Sequence, residues 1–126
     1  MKISKWFFVS AIIYGLLGML LGLHMAISHD HGQRPTHAHI MVIGWVSFFL
    51  FGLFYLHFAN VVRQSLALVH LVLSQVSMIG LMIGLYLVYS GATQFEPVAA
   101  ISSIGYAVSF LIFAVVAIPV VMAAEQ

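Results

Sequence analysis

Apolar residues fill this chain in four long runs: Trp6 to Ser28, His37 to Ala59, Ser65 to Ser90 and Pro97 to Ala123. A helix crosses a hydrocarbon core with about 20 predominantly apolar residues, and each run reaches that length. A bilayer offers no water to an unpaired backbone group, so such runs are read as continuous helices. The pattern predicts an all-α fold: an integral membrane four-helix bundle with helices at about 6–28, 37–59, 65–90 and 97–123. Residues 1–126 form a single transmembrane domain, with almost nothing left for a soluble module. The short connection from Gly91 to Glu96 makes the third and fourth helices antiparallel neighbours. Pro97 suits a first helical turn, and Pro119 is expected to kink the end of the fourth helix.

Lys2 and Lys5 ahead of an apolar stretch, with small Ala26 and Ser28 near its end, have the outline of a signal peptide. The apolar core exceeds the roughly 7–15 residues of such a peptide, so the run is kept as a helix. Small residues recur at steps of three or four: Ala11, Gly15, Gly18, Gly22 and Ala26 in the first run, Ser77, Gly80 and Gly84 in the third, and Ser102, Gly105 and Ser109 in the fourth. That spacing predicts close helix contacts, because small side chains let backbones approach within a membrane.

Composition agrees with the pattern. The chain is 63% hydrophobic and only 6% charged, with a mean hydropathy of +1.15, which is far outside the soluble range. Zero cysteines exclude disulfides, iron–sulfur clusters and covalently attached heme. The net charge of +1 gives no reason to expect nucleic acid. Lys2, Lys5 and Arg63 fall on the side of the termini, and Arg34 stands alone on the other. That bias places both termini in the cytoplasm and His29 to Thr36 outside.

Seven histidines are a signal in such a chain, since ionisable groups in or near a membrane span are costly and mark candidate function. His24, His29, His31, His37 and His39 gather at the outer side, whereas His57 and His70 lie toward the side of the termini. His37 and His39, two positions apart, turn about 200° from one another on a helix. They cannot chelate one ion, but they can serve two cofactors. Met41, Gly44, Phe48 and Gly52 continue the His37 face, and Ile43, Val46, Leu50 and Leu53 the His39 face. Gly44 would leave room for a porphyrin beside His37, with Trp45, Phe48 and Phe51 as apolar walls. Met41 is an alternative axial ligand, and Arg34 is placed to pair with heme propionates. His24 is close in depth to His39, so a bis-histidine pair within one chain is open. His70 is a weaker metal-ligand candidate that could meet His57. His29, Asp30 and His31 offer ligand types for copper or zinc.

The stretch Pro35-Thr36-His37-Ala38-His39-Ile40, followed by Gly44-Trp45-Val46 and Phe51-Gly52-Leu53-Phe54-Tyr55, resembles the heme-holding helices of subunit I in heme-copper oxidases and nitric oxide reductases. It is closer to the small stand-alone membrane proteins described as oxidase subunit I-like. The resemblance implies that His37 and His39 ligate heme b non-covalently. It further implies a homotrimer rebuilding the twelve-helix arrangement, the two histidines facing different pores, and a bacterial inner membrane. The three further histidines of the oxidase copper site are missing, and Asp30, Glu96 and Glu125 all fall outside the expected helix bounds, which argues against an autonomous oxidase or pump. The expected function is electron transfer or binding of a diatomic gas (O2 or NO), with the lipid bilayer, further copies and a quinone or redox protein as partners. A copper- or zinc-handling protein and a cofactor-free assembly subunit are the alternatives.

Overall fold

Each apolar run becomes one helix. The computed structural model describes residues 2–124, and Glu125 lies outside them. Helix α1 is Ile3–Ser28, α2 is Arg34–His57, α3 is Gln64–Tyr89 and α4 is Glu96–Ala124. A single 3₁₀ turn, Thr93–Phe95, leads into α4. All four helices are long and apolar enough to cross a membrane. Helix α2 starts three residues earlier than expected because Pro35 fits its first turn, where a missing N–H leaves no bond unmade. It stops two residues early, and the chain turns with Val61 and Val62 both donating to the Phe58 carbonyl. The α1 end is closed by His29 in the left-handed region, φ 57°, a common C-terminal cap geometry.

The four helices form two hairpins, and the predicted small residues line both seams. A Cβ on Gly22 would stand 2.8 Å from His37 Cε1, and one on Gly84 would stand 2.7 Å from the Ala99 backbone nitrogen. Gly15 and Gly18 receive Trp45 and Met41, while Gly80 and Gly105 meet Ser102 and Ser77. The hairpins join through a core concentrated toward the end that carries the termini. There Phe7, Phe48, Phe51 and Tyr55 are buried and interlock at 5.4 to 6.1 Å between ring centres. Midway along, the Tyr14 hydroxyl donates to Gln75 Oε1 at 2.7 Å, and the Gln75 amide reaches Ser10. At the opposite end the Gln33 amide donates to the Tyr86 carbonyl at 3.0 Å and to Ser90 Oγ at 2.9 Å.

One element departs from the regular helix that periodicity predicts. Residues Ile40–Val46 of α2 are π-helical, paired i→i−5 rather than i→i−4. The segment closes with the Ser47 N–H on the Val42 carbonyl, and Ser47 Oγ donates to the same oxygen at 2.9 Å. Returning to i→i−4 pairing passes over the Ile43 carbonyl. The Tyr106 hydroxyl of α4 donates to that oxygen at 2.9 Å. Tyr106→Phe should therefore lower the unfolding free energy by about 1–2 kcal/mol, the cost of stranding a buried acceptor. Reversible unfolding in mixed micelles would measure this, with the exposed Tyr89→Phe expected to be neutral.

Candidate functional site

His37 and His39 sit in the first turns of α2 and do face opposite ways. The His37 ring is half-buried on the Gly22 backbone, with Nδ1 2.7 Å from the Gly18 carbonyl oxygen of α1. His39 is exposed, and its Nδ1 lies 2.7 Å from the Pro35 carbonyl oxygen. A carbonyl only accepts, so in each neutral ring Nδ1 carries the proton and Nε2 keeps a free lone pair. Metal-ligating histidines are held in the same manner, with the second nitrogen anchored by a carbonyl or carboxylate.

The other expected residues divide between packing and surface. Met41 packs on Gly18. The space beside Gly44 is filled within the chain: a Cβ there would meet Tyr14 Cβ and Met78 Cε, each at 3.1 Å. Phe48 is fully buried in the aromatic core, and Trp45 covers Gly15 while remaining 39% exposed. Gly44 and Phe48 also turn toward α1, as His37 does, Gly44 against Tyr14 and Phe48 against Phe7 and Tyr14. The side toward α1 is broad across the π segment, taking in Met41 and Trp45 as well as Gly44.

His24 is exposed. It lies two residues beyond Gly22 and is turned about 200° from the contact with α2. His24 and His39 thus both point away from the α1–α2 seam, and nothing within one chain brings them together. The exposed Arg34 bonds through Nε to the His31 carbonyl at 3.4 Å. Asp30 Oδ1 accepts from the Gly32 N–H at 2.9 Å. Among the described residues, no three His, Asp or Glu side chains converge as a metal-ion site.

His70 is wholly buried. Its Nδ1 lies 2.9 Å from the Tyr55 hydroxyl, and its Nε2 has no hydrogen-bond partner among the described residues. Phe7, Phe51 and Phe113 surround the ring at centroid distances of 5.0, 4.6 and 5.3 Å. His57, the expected partner, is instead exposed, with its ring 4.6 Å from that of Phe58. Tyr55 and His57 are two positions apart on α2, so only one can face α3, and the tyrosine does. Nothing in the sequence pattern singled out Tyr55 beyond its place in the last turn of α2, opposite His70 in the second turn of α3. Tyr55 also lines a cavity of about 410 Å³ with Lys2, Ser4, Asn60 and Gln64.

No family model matches the chain, and no curated protein or solved structure matches it significantly.

The Tyr55–His70 pair is expected to behave as a unit. Tyr55→Phe leaves the imidazole with no partner at either nitrogen and should destabilise the fold by about 1–3 kcal/mol. Tyr55→Phe combined with His70→Leu should recover most of that loss, because an apolar pair strands no polar atom. A double-mutant cycle on unfolding free energies reads the coupling, and additive losses would contradict it.

Proposed function

We propose that this protein binds b-type heme in a bacterial inner membrane and acts in electron transfer or in binding O2 or NO. His37 and His39 are the axial ligands. The observation supporting this reading is the matched anchoring of the two imidazoles, each with Nδ1 on a backbone carbonyl at 2.7 Å and Nε2 left as a ligand lone pair. Zinc and copper sites draw on three or four protein ligands, whereas a porphyrin supplies four nitrogens and needs only one or two imidazoles. Isolated, opposed histidines match the second requirement. When bound, heme supplies one-electron chemistry or an open coordination position.

The space for it lies between copies of the chain. Beside Gly44 the chain fills its own interior, while His39 and His24 stand on the outer surface, and Arg34 at the same end is available to propionates. Only 17% of the most apolar window of α4 is buried inside the chain, leaving ample surface for further copies and lipid. A closed homotrimer would bring His37 of one protomer and His39 of the next toward a shared pocket. The excess of Lys2, Lys5 and Arg63 over Arg34 supports termini in the cytoplasm.

Protein purified from heme-replete cells should show a Soret band and should run as a trimer in native mass spectrometry. His37→Ala and His39→Ala should each remove or shift the band while leaving the helical circular dichroism unchanged. Carbon monoxide added to the reduced protein distinguishes the two roles, a spectral shift marking an open axial position. A colourless protein that also fails to take up added hemin would end the heme reading, and bound copper or zinc in its place would favour metal handling.

A further inference from the structure

The Tyr55–His70 pair lies at the other end of α2 from His37, 18 residues or about 27 Å away, and its chemistry does not depend on heme. We propose that the cavity beside Tyr55 binds the head of a neutral, membrane-soluble molecule through a carbonyl oxygen. The Tyr55 hydroxyl is the donor, and His70 holds that hydroxyl in its donating orientation.

The direction of the Tyr55–His70 bond is decisive. Were Tyr55 to donate to Nδ1, the imidazole proton would sit on Nε2, which has no partner and is enclosed by Phe7, Phe51 and Phe113. Each arrangement leaves one donor without a partner among the described residues, Nε2–H in this one and the Tyr55 O–H in the other, and only the second donor belongs to a residue that lines the cavity, where a bound molecule can accept from it. The favoured arrangement puts the proton on Nδ1, donating to the Tyr55 oxygen, with a bare lone pair on Nε2. The Tyr55 O–H is then unspent, and among the described residues His70 is its only hydrogen-bond partner. Tyr55 lines the cavity, so a molecule bound there is the acceptor available to that proton.

The lining selects the ligand class. Lys2 is the only charged residue among the described residues that line the cavity, against four neutral polar ones, Ser4, Tyr55, Asn60 and Gln64. A phosphate would call for several cationic donors; a neutral oxygen is satisfied by a hydroxyl. Leu56, also in the lining, is exposed on the apolar outer surface, which gives a tail a route to lipid. Two kinds of molecule carry such a carbonyl at a membrane surface: a quinone and a glycerol ester of a fatty acid.

Equilibrium binding of decylubiquinone and of monoolein to the full chain in neutral-lipid nanodiscs tests the proposal and separates the two sources. One of them is expected to bind saturably and to weaken roughly tenfold in Tyr55→Phe, the scale of one lost hydrogen bond. Its carbonyl stretch, read by isotope-edited infrared difference spectroscopy, should move to lower frequency on binding and return in Tyr55→Phe. If quinone is the source, the reduced quinol should bind more weakly, since it presents hydroxyl donors. Should Tyr55→Phe not fold, Ala59→Trp, which fills the cavity and leaves the pair intact, must abolish binding. Equal affinity in Tyr55→Phe, an unshifted carbonyl band, or displacement by anionic phospholipid that depends on Lys2 and not on Tyr55 would overturn it.

Discussion

Backbone groups in an apolar solvent must find partners within the protein, and α2 tests that constraint. Its π segment, Ile40–Val46, passes over the Ile43 carbonyl, and the Tyr106 hydroxyl of α4 supplies the missing donor. Helix α4 is otherwise the least enclosed of the four. This bond therefore ties the two hairpins together at the point where a regular α2 would have had no group to offer. Irregular backbone and interhelical attachment have the same cause here.

The π segment also decides what each part of α2 faces. A regular helix drifts by about 40° over every step of four residues. His37, Met41 and Trp45 nevertheless all lie against α1, on Gly22, Gly18 and Gly15. A wider turn absorbs the drift and keeps this seam aligned. Beyond it, Phe51 and Tyr55 turn toward His70, and Phe51 also meets Phe113 of α4. One helix thus meets α1 along one line and His70 along another.

Much of this was legible in the chain. The apolar runs located every helix to within a few residues, because length and hydropathy are local properties. The glycine and serine spacings marked the seams, since close approach needs small side chains wherever the partner lies. The opposition of His37 and His39 followed from two positions on a helix. Phase and partnership across helices were not legible. Periodicity assumes 3.6 residues per turn throughout, and nothing in Ile40-Met41-Val42-Ile43-Gly44-Trp45-Val46 announces a wider one. The addition of Trp45 to the side that faces α1 beside Met41 and Gly44 follows from that wider turn. The choice of Tyr55 over His57 as the neighbour of His70 likewise depends on how α2 is rotated, which core packing sets.

The two sets of histidines illustrate two ways of keeping an imidazole in an apolar protein. His37 and His39 rest on main-chain carbonyls that cannot be mutated away, His39 on its own helix and His37 on α1, so their tautomers are fixed by backbone placement. His70 depends on one side chain, and its second nitrogen faces only aromatic rings. Leucine would fill that position without stranding a polar atom, and stability alone gives no reason for an imidazole there. What the ring does provide is control over a single hydroxyl at the wall of a cavity. A buried group that orients one atom and touches nothing else polar is best understood through that atom, which is why the chemistry at this end of the bundle belongs to Tyr55.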